Sequence, residues 1–378
     1  MTSLRLLFMK ISHLSRTRAI ALAKSFLTTT LLLSFTLHCA PHARAQTGES
    51  TAPKPSLLPL PSLSQLQPAS SPVSAAPSTL PLPSSTPALP LPKIALALGG
   101  GGTRGAAHIG VLRVLEREGI HVDMITGTSI GAIIGGLYCA GLSVDEIEEK
   151  FRRPYIMKSY MTVPIYVSVA ARPLFLMPRL VGWRPYDGFY FGNKFRNNYR
   201  KCLPKDRRNI EDLKIPFTAM TTNLRDGEPY PIDHGDLARA VQASSAIPVL
   251  RRPVSFDKEV LVDGCVVMNV PVDEAKKMGA DIVIAVPVNE RLEKVPGRTF
   301  RRVGSVARRV EQIFLARNDA PQLERADVVV HPLTDGIVVT STSSKDAIKA
   351  IKAGEEATIL ALPLLRQKIA EAKNRLTH

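Results

Sequence analysis

Short apolar runs alternate with helical patterns from residue 93 onward. Residues 94–98 (IALAL) form the first run, and Ile109, Leu112 and Leu115 follow it at helical spacing. Later runs typical of strands lie at residues 122–126, 215–221, 260–262, 281–288 and 327–330, and helical patterns lie at residues 130–140 and 344–376. The alternation predicts an α/β fold, a three-layer α/β/α sandwich with a mostly parallel central sheet.

The first 45 residues have the pattern of a secretory signal. Residues 1–24 carry five basic side chains and no acidic one, residues 26–37 are apolar, and an A-x-A cleavage pattern ends at Ala45. We therefore expect export through a Sec-type signal to the periplasm or cell envelope, or secretion. A single membrane anchor and a lipoprotein signal ending at Cys39 are the alternatives.

The chain after the signal divides into three parts. Residues 46–92 are rich in Pro, Ser and Ala, and residues 50–92 hold 12 of the 30 prolines, which predicts a disordered linker. Residues 93–290 are the predicted catalytic domain, and residues 291–378 are a predicted helical extension packed on it. Residues 155–190 interrupt the alternation with several prolines among apolar side chains, which indicates either a lid or a loop packed on the domain.

Two glycine-rich turns sit where a strand is followed by a helix. In GGGTRG (residues 100–105), glycines without a Cβ can bring backbone N–H groups close to a ligand, and Arg104 would favour negative charge there. The turn also fits the weak dinucleotide pattern G-x-G-x-x-G, and a purely structural turn is the other alternative. In GTSIG (residues 127–131), Ser129 has the position of a nucleophile elbow.

A serine nucleophile needs a base, and the histidines are poorly placed for that role. They lie on a helix, before a strand, in a loop and before a proline, at His108, His121, His234 and His331. Asp263 is the better candidate because it ends a strand and precedes Gly264, at the edge where α/β sheets collect functional groups. A turn aspartate that binds its own backbone is the alternative.

In this order, the two glycine turns and Asp263-Gly264 resemble the patatin-like phospholipase family, as it occurs in bacteria. Residues 243–248 (ASSAIP), 270–271 and 279–286 strengthen a likeness that spans about residues 93–290. The resemblance implies a lipid acyl hydrolase with Ser129 as nucleophile and Asp263 as proton acceptor in a Ser-Asp dyad. The remaining implied site residues are the oxyanion loop and the turns around the dyad: Gly100, Gly101, Gly102, Arg104, Gly105, Gly127, Gly131 and Gly264. Cys265 departs from the family, which usually has Gly or Ala there.

Two other functions fit the same residues. One is an esterase with a Ser-Asp-His triad completed by His331, and the other is a non-catalytic lipid-binding protein on this fold. No cofactor or metal is expected, because the four cysteines show no C-x-x-C spacing. One cysteine lies in the signal, so the other three form at most one disulfide.

The chain is basic, with a formal net charge of +16. Residues 1–92 carry seven basic and one acidic side chain, which leaves +10 on residues 93–378. This charge favours an anionic partner, and a phospholipid or other lipid ester is the expected substrate. Residues 298–317 combine arginines with apolar residues, which predicts either peripheral membrane contact or a helix docked on its own core. No nucleic-acid partner is expected, since no recognisable binding motif accompanies the basic residues.

Overall fold

A single mixed sheet of eight strands organises the computed structural model, which describes residues 91–153, 155–160, 186, 188–301 and 305–377. The strands are β1 (Ile94–Leu98), β2 (Met124–Thr128), β3 (Phe217–Asn223), β4 (Pro229–Ile232), β5 (Val254–Phe256), β6 (Glu259–Asp263), β7 (Ile282–Val286) and β8 (Val328–Val329). Strands β3, β2, β1, β7 and β8 pair in parallel in that order. β4 and β6 pair antiparallel with β3, and β5 pairs antiparallel with β6.

Helices cover both faces of the sheet. They are α1 (Ala107–Arg117), α2 (Ile130–Cys139), α3 (Val144–Arg152), α4 (Tyr155–Tyr160), α5 (Asn193–Cys202), α6 (Leu237–Ser244), α7 (Val272–Lys277), α8 (Ser305–Glu324) and α9 (Ser344–Thr377). Four 3-10 turns lie at Gly102–Ala106, Ile210–Asp212, Gly264–Val266 and Gly297–Arg301. None of the described helices is both long and apolar enough to cross a membrane.

Alternate residues of β1 enter two separate cores. Ile94, Leu96 and Leu98 pack with α1, α2 and α6, whereas Ala95 and Ala97 pack with α7 on the opposite face. Because both faces are buried, β1 is a continuous apolar run rather than an alternating one. The predicted three-layer α/β/α architecture is confirmed, and the sheet is mixed at the end that contains β4, β5 and β6.

The strand boundaries differ from the sequence prediction by about two residues in β2 and β3. β4 and β5 were missed because they are short and only partly apolar. The predicted signal, almost all of the predicted linker, and residues 161–185 and 187 of the predicted lid lie outside the described residues. The predicted boundaries at residues 45, 92 and 290 stay predictions.

Helices α1 and α9 cross at very close range. A Cβ on Gly354 of α9 would overlap the main-chain oxygen of Ala107, and a Cβ on Gly110 of α1 would overlap that of Ile351. The first turn of α1 directly follows the glycine turn of residues 100–105. The crossing therefore holds the helix that leads out of the predicted site.

Gly354→Ala is expected to lower the free energy of unfolding by about 1–3 kcal/mol, because the added methyl group must push two main chains apart. Alanine has the higher helix propensity, so a net loss isolates the steric effect. Thermal unfolding measures it. Gly297→Ala is the matched control, since a Cβ there meets nothing within 4 Å. An unchanged or raised Tm in Gly354→Ala would show that the crossing has room to relax.

Candidate active site

Ser129 lies at a tight turn between β2 and α2. Its backbone has φ 54° and ψ −116°, and it is the N-cap of α2. A positive φ costs a non-glycine residue roughly 1–3 kcal/mol and persists only when neighbouring contacts hold it. Here the Ser129 amide donates to Ser244 Oγ at 3.0 Å, and its carbonyl accepts from the Ile133 amide at 3.0 Å. The geometry is that of a nucleophile elbow.

The glycines around Ser129 are required by close approach of the main chain. A Cβ on Gly131 would overlap the carbonyl oxygen of Leu98 in β1, and one on Gly127 would lie 2.7 Å from the Ala132 amide. Both contacts pull the start of α2 against the sheet. The G-x-S-x-G pattern therefore has a steric cause in this fold.

Ser244 is a site residue that the sequence analysis did not assign. Its hydroxyl accepts from the Ser129 amide and donates to the Met220 carbonyl of β3 at 2.6 Å. It thereby ties the elbow to β3. The only signal in the sequence was the ASSAIP stretch, which carried the family likeness but no role for the serine.

Strand β3 brings Asp263 beside Ser129. Thr128, at the end of β2, pairs with Met220, and Asp263, at the end of β6, pairs with the next residue, Thr221. Residues 219–222 pair with β4 along their other edge. β2 and β6 therefore occupy the same edge of β3 in succession and end at adjacent positions.

Asp263 is fully buried, and burial raises the pKa of its carboxyl to about 6. The Cys265 amide, which donates to Oδ1 at 3.0 Å, opposes this rise, as do the neighbouring Ser129 hydroxyl and Cys265 thiol. Oδ2 has no well-aligned hydrogen-bond donor among the described residues. Catalytic hydrogen bonds are often long before substrate binds.

Arg251 supplies a buried positive charge near Asp263. The guanidinium lies 3.8 Å from the ring centre of Tyr160 and 4.8 Å from that of Phe195, and it donates to the Tyr160 carbonyl at 2.8 Å. Its charge lowers the pKa of Asp263 and so partly offsets the effect of burial. Arg251 thus favours the carboxylate form of Asp263, the form that can accept a proton.

The glycine turn reaches Ser129. A Cβ on Gly100 would lie 3.1 Å from the Ser129 Cβ. However, the Gly100 amide already donates to Asn269 Oδ1 at 3.0 Å. The amides of Gly101 and Gly102 have no acceptor among the described residues.

Arg104 and Gly105 have structural positions instead of facing the serine. The Arg104 side chain pairs with Glu290 at 2.6 Å and donates from Nε to the Ile337 carbonyl at 2.8 Å. Its guanidinium is therefore not an oxyanion donor, which corrects the sequence prediction for that side chain. Gly105 packs against Ile130, where a Cβ would overlap the isoleucine side chain.

The described histidines make their hydrogen bonds away from the dyad. His108 is buried, its pKa is lowered to about 4 by burial, and its Nε2 lies 2.8 Å from the Gly99 carbonyl. His331 Nε2 lies 3.0 Å from the Asn289 carbonyl, and burial lowers its pKa. No histidine of the described ranges hydrogen-bonds to Ser129 or Asp263.

Cys265 fits the position where the resemblance predicts Gly or Ala. Burial raises the pKa of its thiol well above the ordinary value, so the thiol is protonated at neutral pH. A protonated thiol is a poor nucleophile. Cys139, Cys202 and Cys265 are free, and the described residues contain no group of three or more metal-binding side chains.

A buried carboxylate on α8 positions the glycine turn through Asn269. Asn269 Nδ2 donates to Asp319 at 3.1 and 3.2 Å, while Asn269 Oδ1 accepts from Gly100. Asn289 also donates to Asp319, at 3.1 Å. Burial raises the pKa of Asp319 to about 6, against the effect of these two hydrogen bonds. The sequence contained no pattern that links residue 319 to the glycine turn.

Comparisons with known proteins agree with this geometry. A family model described as patatin-like phospholipase matches residues 96–276. Residues 96–276 therefore form a patatin-like phospholipase domain. Patatin-like phospholipase domain-containing protein 6 of Mus musculus is 35% identical over 202 residues, which cover 53% of this chain and 14% of the mouse protein. Lysophospholipase NTE1 of Scheffersomyces stipitis is 33% identical over 211 residues, which cover 54% of this chain and 12% of the yeast protein.

Among solved structures, VipD from Legionella pneumophila aligns with a TM-score of 0.41 and 17% identity, covering 72% of this chain and 67% of VipD. The sequence relatives given above come from a mammal and a yeast, so the bacterial assignment stays a prediction. Asn269 lies inside the matched region and Asp319 lies outside it. The C-terminal part of the chain therefore contributes a residue to the site.

Asp319→Asn is expected to lower kcat by about 10- to 100-fold on an ester substrate, because a misplaced glycine turn no longer matches the transition state. KM should change much less, and kinetics on wild type and variant separate the two. Asp273→Asn is the matched control, since Asp273 binds Arg325 just beyond α8 but does not reach the glycine turn. Equal kcat losses in both variants would mean that the packing of α8 on the domain determines the rate and that the hydrogen bonds through Asn269 do not.

Proposed function

We propose that this patatin-like phospholipase is a serine lipid acyl hydrolase that cleaves carboxylic esters of fatty acids through a Ser129-Asp263 dyad. The observation that carries the proposal is the hydroxyl of an elbow serine next to a buried carboxyl with a raised pKa. Two amides without acceptors in the adjacent glycine turn support it. Names of the sequence relatives, a phospholipase domain protein and a lysophospholipase, point to the same chemistry.

In the proposed first half-reaction, the Asp263 carboxylate accepts the Ser129 proton while Oγ attacks the acyl carbonyl. An ordinary carboxylate is a weak base for a serine, and a pKa of about 6 reduces that mismatch. The tetrahedral intermediate places its negative charge by the Gly101 and Gly102 amides and the positive N-terminal end of α2. Its collapse breaks the ester bond, and Asp263 returns the proton to the leaving alcohol.

Deacylation repeats these steps with water. Asp263 accepts a proton from water, the hydroxide attacks the acyl-Ser129 ester, and the glycine amides again hold the oxyanion. Collapse releases the fatty acid and returns the proton to Ser129. A phospholipid or lysophospholipid is the proposed substrate class, because the names of the relatives suggest it. The matched residues cover 14% or less of those relatives.

The dyad predicts a specific pattern of variants. Ser129→Ala should lower kcat by about ten-thousand-fold or more, and Asp263→Asn by about a thousand-fold or more, because one lacks the nucleophile and the other the base. Hydrolysis of phospholipids, lysophospholipids and short esters measures this. A fluorophosphonate probe should label the wild type and not Ser129→Ala. Absence of labelling and turnover in the wild type would favour a non-catalytic lipid-binding protein.

His331→Ala separates the dyad from a triad. The His331 ring is bound to the Asn289 carbonyl, so turnover should stay within about threefold of wild type. A loss comparable to that of Asp263→Asn would establish the triad instead. Far-UV circular dichroism of the variant controls for unfolding.

The reaction should slow in acid. Asp263 must be deprotonated to act as base, so kcat/KM should fall about tenfold per pH unit below about pH 6. Asp319 has a pKa raised to the same region, so Asp319→Asn tests which carboxyl is responsible. If the acidic limb belongs to Asp263, its midpoint persists in the residual activity of Asp319→Asn. A limb that disappears in that variant would assign it to Asp319.

A further inference from the structure

Helix α8 exposes a stripe of large apolar side chains. Val306, Val310, Ile313 and Phe314 are 57%, 60%, 41% and 46% exposed. Their spacing of four, three and one residues places them on one face of the helix. We call these four residues the α8 stripe.

The opposite face of α8 is polar and packs on the protein. Asp319 and Gln322 are buried, Gln312 donates to Glu290, and Arg309 donates to the Glu293 carbonyl. A surface helix ordinarily buries its apolar side and exposes its polar side. α8 does the reverse in its first half, and no part of the chain that the structure describes buries the α8 stripe. Of the two alternatives left open by the sequence, this exposure favours membrane contact over docking on the core.

The surroundings of the stripe are strongly basic. Residues 291–317 contain eight basic and two acidic side chains. Arg317, on the same face as the stripe, and Arg301, in the 3-10 turn that precedes α8, are exposed and form no ion pair or hydrogen bond with the rest of the described chain. Phe300, in the 3-10 turn that precedes α8, is also exposed. An apolar stripe with unpaired arginines matches an anionic lipid surface, where apolar side chains enter the interface and cations meet headgroups.

The α8 stripe is next to the proposed active site. Asn318, one turn after Phe314, donates to the Val266 carbonyl at 3.0 Å in the turn that follows Asp263. Val267 in the same turn is itself exposed. Four residues of helix rise about 6 Å, so Phe314 lies about that far along the helix axis from Asn318, which contacts the turn after Asp263.

We propose that the α8 stripe and its arginines dock the protein on a bilayer that contains anionic phospholipids. The choice of a lipid surface rests partly on the proposed function, because an enzyme for long-chain esters must reach substrate held in a membrane. The charge complementarity and the outward apolar stripe are independent of catalysis. Docking there brings the turn after Asp263 close to the lipid surface.

Vesicle flotation tests the proposal. Full-length protein carrying Ser129→Ala, which prevents hydrolysis, is mixed with vesicles of phosphatidylcholine and phosphatidylglycerol or of phosphatidylcholine alone. Adding Val310→Gln/Phe314→Gln should lower partitioning onto the anionic vesicles by about tenfold or more, since two apolar anchors are lost. Glutamine retains helix propensity. Ile359→Gln/Leu360→Gln on α9, where both side chains are also exposed, should leave partitioning unchanged.

A second set of variants tests the contribution of the arginine charges to vesicle binding. Arg301→Gln/Arg317→Gln should weaken binding to the phosphatidylglycerol vesicles and have little effect with phosphatidylcholine alone, and added salt should reduce this difference. The predicted apolar segment at residues 26–37 is identical in all variants, so it does not contribute to the comparison. Unchanged partitioning in Val310→Gln/Phe314→Gln overturns the proposal. A second result also overturns it: sedimentation shows a dimer, Val310→Gln/Phe314→Gln dissociates that dimer, and vesicle binding persists. The stripe would then join two copies of the chain.

Catalysis provides a separate measurement in protein that retains Ser129. Val310→Gln/Phe314→Gln should retain turnover of a soluble short-chain ester and lose about tenfold on vesicle phospholipid. Equal losses on both substrates would contradict a docking role. If the wild type hydrolyses neither substrate, the proposed function fails, while the flotation result still decides the docking proposal.

Discussion

The site depends on how strand β3 is paired. Its first residues pair in parallel with β2, and its last residues pair antiparallel with β6 along the same edge. Two strands that approach from opposite directions therefore end at neighbouring positions, one at Thr128 and the other at Asp263. This places a hydroxyl and a carboxylate side by side although 134 positions separate Ser129 from Asp263 in the chain. Ser244 secures the arrangement by bonding both the elbow and β3.

The pKa of Asp263, the proposed partner of Ser129, reflects opposing effects of its surroundings. Burial disfavours the charged form of Asp263, whereas the hydrogen bond from the Cys265 amide, the neighbouring Ser129 hydroxyl and the charge of Arg251 favour it. The balance leaves a carboxyl that is more basic than one in water and still ionised at neutral pH. The proposed reaction requires both properties, because the same group must accept a proton and later release it.

Helix α8 links the interior of the site to the outer surface. Its second half supplies Asp319, which holds Asn269 against the glycine turn, and its first half carries the α8 stripe. α8 lies beyond the matched family region, residues 96–276, and supports the glycine turn inside that region. Any movement of α8 would reach the Gly100 amide through only two side chains, Asp319 and Asn269.

The sequence determined the elements and most of the candidate chemistry. Buried strands such as residues 94–98 and the glycine turns around Ser129 are local signals, because apolar runs and steric limits on glycine act within a few residues. The three-layer fold followed from their alternation. Strand ends were less accurate, and β4 and β5 were missed, since short edge strands depend on their partners more than on their own residues.

Only the tertiary structure decided which groups meet. It directed the Arg104 guanidinium to Glu290, engaged the Gly100 amide with Asn269, and brought in Ser244 and Asp319. It also turned the apolar side of α8 outward, where periodicity alone allowed either orientation. These outcomes depend on contacts between residues far apart in the chain. A local pattern records which side chains are present, whereas strand pairing and helix packing determine their partners.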